Sequence, residues 1–118
     1  MGEGIVSTKE DLQRTLDLVT KSSKIPEKEV IEIKKRIQMA LNILIQNERK
    51  IWLRTRDGKE MIEEFEGASS RIARRAENIQ TTEATVSDVT DFYAALNEVE
   101  SCAKKLEDES RRRSMVVT

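Results

Sequence analysis

The stretch Arg49–Gly58, RKIWLRTRDG, decides whether the middle of this chain folds as one helix or as two. From Pro26 onward, the apolar residues recur at spacings of three and four as far as about Arg56. This pattern predicts an amphipathic helix of about 30 residues, roughly 45 Å long. Asp57-Gly58 is its predicted end, because glycine readily takes the left-handed conformation that closes helices. The alternative is a single helix through residues 26–80, since an internal glycine costs only about 1 kcal/mol.

The only tryptophan of the chain, Trp52, lies inside this stretch. Helical spacing places the following apolar residues on one face of the second helix: Val30, Ile33, Ile37, Leu41, Leu44, Ile45, Ile51 and Trp52. Trp52 either widens this core stripe or forms an exposed anchor for a partner. If Asp57-Gly58 is a turn, three basic residues return alongside acids of the next helix: Arg49, Arg54 and Arg56 against Glu60, Glu63 and Glu66. The basic run then has internal partners and is not a free phosphate site.

Two later segments repeat small or apolar residues at alternating spacings of three and four. The third segment contains Ile62, Phe65, Ser69, Ile72, Ala76 and Ile79, and the fourth contains Val89, Phe92, Leu96, Val99, Ala103 and Leu106. Such heptad seams are typical of left-handed bundles and coiled coils. The segment between them, QTTEATVSD at residues 80–88, is the predicted main loop. Thr85 or Ser87 is expected to cap the fourth helix.

The N-terminal segment predicts one further, shorter helix. Ser7 opens STKE, a capping box with Glu10, and the apolar spacing that follows predicts a helix over about residues 8–22. The predicted fold class is therefore all-α, an antiparallel bundle of three long helices plus a short N-terminal helix. We expect one domain, residues 1–118, with residues 1–6 and 112–118 flexible. The second helix is predicted to be longer than its neighbours and to project beyond them or pair with another subunit.

Composition excludes several classes of function. Charged residues make up 36% of the chain, but 21 Lys and Arg nearly cancel 22 Asp and Glu, so no global field attracts nucleic acid or a membrane. No run of about 18 apolar residues is present, so no membrane span is expected. The single cysteine cannot form an intramolecular disulfide, and we expect a cytoplasmic or nuclear protein.

The complete absence of histidine removes the usual general base and the commonest metal ligand. We therefore expect no catalytic residue, no metal, no cofactor and no small-molecule substrate. The acidic cluster of Glu60, Glu63, Glu64 and Glu66 is interpreted as a solvated helix face. Cys102 is interpreted as a half-buried packing residue, and the alternative is a reactive thiolate favoured by Lys104 and Lys105.

Two basic clusters remain as candidate sites. Arg71, Arg74 and Arg75 share one helix face, which suits an anion such as phosphate, but cations near a helix C-terminus also satisfy the helix dipole. Ser114 follows three arginines, residues 111–113, and resembles a site for basophilic kinases. The alternative for that segment is a frayed helix end.

These observations favour a non-enzymatic helical protein-protein interaction module: an adaptor, a regulatory subunit or a self-assembling domain. It would bind through an apolar stripe flanked by charge, and the first predicted contacts are Arg49, Ile51, Trp52 and Arg54. The expected partner is another protein or a second copy, most simply in a homodimer. The alternative is a small nucleic-acid or anionic-surface binding protein that uses the Arg patches. The near-zero net charge and the aromatic content of 3% count against that alternative.

Overall fold

A computed structural model describes residues 3–80 and 83–116, and within these ranges every regular element is helical. Four α-helices follow one another: α1 (Glu3–Lys21), α2 (Glu27–Asn47), α3 (Arg56–Asn78) and α4 (Val86–Val116). A short 3-10 helix, Ile51–Arg54, lies in the connection between α2 and α3. The predicted all-α fold class is confirmed. The first helix is the shortest of the four α-helices, with 19 residues.

Contacts between the helices define the bundle. The ammonium of Lys9 on α1 lies 2.7 Å from the Glu48 carboxylate just after α2, so these two helices are antiparallel. The α3–α4 pair is also antiparallel, because Arg75 pairs with Asp91 near the start of α4. The neighbours around the bundle are in the order α1, α2, α4, α3, so α2 and α3 lie on a diagonal. The predicted antiparallel packing is confirmed for the two pairs of helices that follow one another through short loops.

The two heptad seams form much of the core. All six predicted seam residues of the third segment are buried, five of them in α3 and Ile79 directly after it. Five of the six in α4 are buried, while Val89 is half-buried. Phe65 and Phe92, one from each seam, are at most 1% exposed. Regular spacing along one face of each helix was therefore a sufficient basis for identifying this part of the core.

The first helix begins earlier than predicted. It starts at Glu3, so the predicted start at residue 8 and the Ser7 capping box are wrong. Ile5 is buried, and a Cβ on Gly4 would lie 3.1 Å from a methyl carbon of Ile62, so the first turn packs closely against α3. The Thr8 hydroxyl also donates to the Gly4 carbonyl at 2.5 Å. Tertiary contact thus extends the helix through a weak helix-forming segment.

The two segments predicted to be flexible are largely within these helices. Residues 3–6 lie in α1 and residues 112–116 lie in α4. Their remaining parts, residues 1–2 and 117–118, fall outside the described residues.

The second helix ends at Asn47, so the predicted helix of about 30 residues is wrong. The chain reverses between Glu48 and Thr55, and α2 is shorter than both α3 and α4. The prediction that α2 is longer than the helices around it is therefore wrong for α3 and α4. The Asn47 side chain donates to the Ile43 carbonyl at 2.7 Å, and the Lys50 N–H donates to the Asn47 carbonyl at 3.0 Å. The bond from Lys50 occupies one of the four carbonyls that the end of the helix leaves without intrahelical donors.

Asp57-Gly58 is not the turn but belongs to the first turn of α3. Thr55 caps that helix by accepting a hydrogen bond from the Gly58 N–H at 3.2 Å. Gly58 has no positive φ, so its role is not the left-handed conformation that the prediction assumed. A Cβ at this position would lie 2.4 Å from the Trp52 carbonyl oxygen. Glycine is needed here because the 3-10 helix passes directly against the start of α3.

The start of α4 follows the predicted capping pattern. The Thr85 hydroxyl accepts a hydrogen bond from the Asp88 N–H at 3.3 Å. The Asp88 carboxylate accepts one from the Thr85 N–H at 2.7 Å. This reciprocal pair confirms Thr85, rather than Ser87, as the cap.

Candidate interaction surfaces

Trp52 is fixed by contacts with the end of α4. Its indole N–H donates to the Ser110 hydroxyl at 3.0 Å, and the Arg113 guanidinium lies 4.9 Å from the ring centroid. The side chain is half-buried and packs against the hydrophobic core. The core contact agrees with the interpretation in which Trp52 widens the core stripe, and its role as an anchor for a partner stays a prediction. Spacing could not identify Ser110 as its partner, because 58 residues separate the two.

Glu109 organises the basic segment at the end of α4. Its carboxylate, only 14% exposed, accepts hydrogen bonds from both Arg112 and Arg113. The hydrogen bond from Arg112 is the main cause that lowers the pKa of Glu109. Arg113 also lies 3.7 Å from Asp57 at the start of α3. Two of the three arginines before Ser114 therefore share one carboxylate.

A surface cavity of about 790 Å³ lies where this segment meets the α2–α3 connection. We call it the Trp52 groove, and it is lined by Lys50, Trp52, Glu109, Ser110, Arg112, Arg113 and Ser114. Ser114 is exposed at its edge. The fold thus brings together two candidate regions, around Trp52 and around Ser114, that the sequence analysis treated separately.

The other predicted contacts of the connection are accessible. Ile51 is 80% exposed, and Arg49 and Arg54 are also exposed. A second depression, of about 510 Å³, contains both arginines together with Glu63 and Glu66 of α3. No salt bridge of 4.0 Å or less joins either arginine to an acid in the part of the chain that the structure describes. A partner-binding role for Arg49, Ile51, Trp52 and Arg54 stays a prediction.

Arg56, one of the three arginines predicted to face acids across a turn at Asp57-Gly58, has a partner within its own helix. Arg56 lies on α3, where it pairs with Glu60 of the same helix at 3.5 Å. Its partner is therefore local, because the chain reverses before Thr55 and not at Gly58.

The arginine cluster on α3 faces acids of the neighbouring helix. The Arg71 guanidinium forms two hydrogen bonds with the Glu98 carboxylate of α4, and this contact raises the pKa of Arg71. Arg75 lies 3.7 Å from Asp91, and Arg74 is exposed. Two of the three candidate anion-binding residues thus have a carboxylate partner on α4. Sequence reasoning missed these partners because the register between α3 and α4 was unknown.

The outer face of α2 is a surface that the sequence analysis did not identify. We call it the neutral face, and it comprises Ile31, Gln38, Met39, Asn42, Ile45 and Gln46, all of them exposed. Ile31 is 66% exposed, Met39 58% and Ile45 45%, so Ile45 does not belong to the core face as predicted. The eleven residues 37–47, IQMALNILIQN, contain no charged side chain although 36% of the chain is charged. That local absence of charge was a signal in the sequence.

The remaining candidates have structural explanations. Glu60, Glu63 and Glu64 are exposed and Glu66 is half-buried. No group of three or more Cys, Asp or Glu residues in the described ranges is arranged to hold a metal ion. Cys102 is half-buried, and burial is the largest of the causes that raise the pKa of its thiol. A raised pKa disfavours the thiolate, which counts against the reactive-thiolate alternative.

Comparisons with known proteins add no further candidate. No family model, curated protein or solved structure matches the chain. Among the described helices, none is both long enough and apolar enough to cross a membrane. Two surfaces therefore remain for a functional argument: the neutral face of α2 and the Trp52 groove.

Proposed function

We propose that this chain is a non-enzymatic protein-interaction module that associates with a second copy of itself through the neutral face of α2. The observation that carries the proposal is the exposure of three large apolar side chains, Ile31, Met39 and Ile45, on a helix whose second half bears no charge. Exposed apolar residues are ordinary when they are scattered singly. Here they lie on one side of one helix.

The lack of charge favours a second copy as the occupant. In a two-fold contact the same patch meets itself, so a charged group close to the axis is brought near its own copy. The segment Ile37–Asn47 contains no charged group that self-association would bring together. Pairing through this face brings together fewer charged groups than the more highly charged surfaces of the bundle would, with Lys35, exposed between Ile31 and Met39, as its one basic residue near the centre.

The spacing of the face also suits a two-fold contact. Ile31, Gln38 and Ile45 are seven residues apart and lie on the same side of α2. If two α2 helices pack antiparallel about Gln38, Ile31 lies opposite Ile45 of the partner subunit. Amide side chains meet at the centre, where they hydrogen-bond to each other without charge.

A contact made by one helix from each subunit is small. With 21 residues, α2 is about 32 Å long, and stable interfaces bury roughly 800 Å² per partner. We therefore expect a reversible dimer whose population depends strongly on protein concentration.

Sedimentation equilibrium of the 13.5 kDa chain over a range from low to high micromolar concentration tests this proposal. The mass should rise from monomer toward dimer, and Met39→Glu combined with Ile45→Glu should return it to monomer. Val86→Glu is the matched control, because it replaces an apolar residue that is 83% exposed at the start of α4. A strict monomer at hundreds of micromolar, or a dimer that survives the double substitution, would overturn the proposal.

A further inference from the structure

Ser114 combines a recognition sequence with a particular place in the fold. It lies exposed in α4 at the edge of the Trp52 groove, directly after three arginines, residues 111–113. Kinases that prefer basic substrates bind such guanidinium groups through acidic groups of their own. We propose that Ser114 is a phosphorylation site for a basophilic serine/threonine kinase, and that the phosphate binds Lys50 across the Trp52 groove. This inference does not depend on association through α2.

A kinase binds its substrate in extended form, so phosphorylation of Ser114 requires the end of α4 to open. The last four carbonyls of a helix have no intrahelical donor. Ser110 is buried against Trp52, whereas Ser114, one turn later, is exposed. Arg111 and Arg112 form salt bridges with Glu107 and Glu109 of their own helix. Opening of the last turn moves Arg113, whose guanidinium lies over the Trp52 ring, but leaves the hydrogen bond between Trp52 and Ser110 in place.

Lys50 is the cation best placed to receive the phosphate. It lines the same groove as Ser114, and no carboxylate lies within 4.0 Å of its ammonium in the described ranges. Arg112 and Arg113, in contrast, already share the Glu109 carboxylate. A phosphoserine carries a charge of about −1.5 to −2 near neutral pH. Such a charge is unfavourable at a helix C-terminus, so an ion pair with Lys50 draws it toward the groove.

The modification is a phosphoryl transfer from ATP. A bond forms between Ser114 Oγ and the γ-phosphorus, and the bond between that phosphorus and the β–γ bridging oxygen breaks. ADP leaves, and the hydroxyl proton passes to the base of the kinase and then to solvent. No oxidant or further reactant is needed.

The first experiment tests the site. The full chain is incubated with magnesium ATP and the catalytic subunit of cyclic-AMP-dependent kinase, and the modified residue is mapped by mass spectrometry. We expect one phosphate, on Ser114, and none on the Ser114→Ala variant. Ser101 is the internal control, because it is exposed on the same helix but follows Glu98 and Glu100. An unmodified Ser114, while a peptide of residues 109–118 is phosphorylated, would overturn the proposal.

The second experiment tests the contact with Lys50. Phosphorus NMR of the phosphorylated chain gives the pKa of the phosphate, which a nearby ammonium lowers. Lys50→Gln should raise that pKa, whereas Lys104→Gln, exposed on α4, should leave it unchanged. Equal values in the phosphorylated parent and the Lys50→Gln variant, with helix content preserved, would contradict the contact.

Trp52 supplies an independent readout, because it is the only tryptophan of the chain. A phosphate in the groove repels iodide and attracts caesium ions. Phosphorylation should therefore reduce iodide quenching of Trp52 fluorescence and increase caesium quenching. Identical quenching before and after modification would place the phosphate away from the groove and overturn that part of the proposal.

Discussion

The α3–α4 pair repeats one pattern of contact along its length, whereas the α2–α3 connection makes contacts that occur only once. In the pair, seam residues such as Phe65 and Phe92 recur at heptad spacing and are buried. In the connection, Gly58 lies against the Trp52 carbonyl, and the Trp52 indole bonds Ser110 on α4. A contact that repeats along two helices can be predicted even if the register between them is known only roughly. A contact that occurs once depends on one specific residue at one position.

The largest expected effect breaks the repeated core. Phe92 is fully buried, so Phe92→Ala should lower the free energy of unfolding by about 3–5 kcal/mol through lost burial and a residual cavity. Urea denaturation followed by circular dichroism measures this loss. Tyr93→Ala is the neighbouring control, because Tyr93 is half-buried and should cost less. A loss below about 1 kcal/mol at Phe92 would show that the α3–α4 seam is not a close-packed core.

A smaller effect tests the close approach in the connection. Gly58→Ala puts a Cβ within 2.7 Å of three backbone atoms of Trp52 and Leu53, so we expect a loss of about 1–3 kcal/mol in unfolding free energy. Gly67→Ala is the matched control within the same helix. Its Cβ would meet only the flexible Arg71 side chain at 3.4 Å, so it should stabilise the protein by about 0.5–1 kcal/mol.

Thermal and urea unfolding of the two glycine variants should therefore shift in opposite directions. If both are stabilised, Gly58 is an ordinary helical glycine, and the connection does not pack as described.

The smallest effect concerns charge between α3 and α4. Arg71→Ala removes the ion pair with Glu98, both side chains of which are about half exposed, and should cost about 0.2–1 kcal/mol at low salt. This cost should shrink at high salt because the pair is accessible to screening ions. Arg74→Ala, which changes an exposed neighbour, should cost less. An equal cost for both variants would contradict a specific Arg71–Glu98 contribution.

The same variants address the alternative of nucleic-acid binding. A protein that contacts several phosphates loses affinity steeply with salt, with a slope of about 0.9 per contact on duplex DNA. Binding of labelled oligonucleotides at physiological salt that disappears in an Arg71, Arg74 and Arg75 triple alanine variant would favour that alternative over a protein partner.

Much of the fold could be predicted because helical spacing reflects local geometry. The seams of α3 and α4, the Thr85 cap and the half-buried position of Cys102 all follow from neighbours within a few residues in sequence. Ile45 was placed on the core face together with Leu44. Two adjacent residues cannot both lie at the centre of one helix face, and in the structure Leu44 is buried while Ile45 is exposed. The lack of charge in residues 37–47 could have indicated the neutral face of α2, but the placement of Ile45 in the core led to its being overlooked.

The sequence by itself determined the all-α class, the two heptad seams and the absence of histidine chemistry, because these depend on composition and on periodicity within single helices. Only the tertiary structure decided where α2 ends, why Gly58 is glycine and which residues surround Ser114. Each of these depends on residues distant in sequence that meet in space: Trp52 with Ser110, Gly58 with the 3-10 helix, and Lys50 with the end of α4. Helix propensity is a weak local preference, so packing against other helices decides where a helix stops.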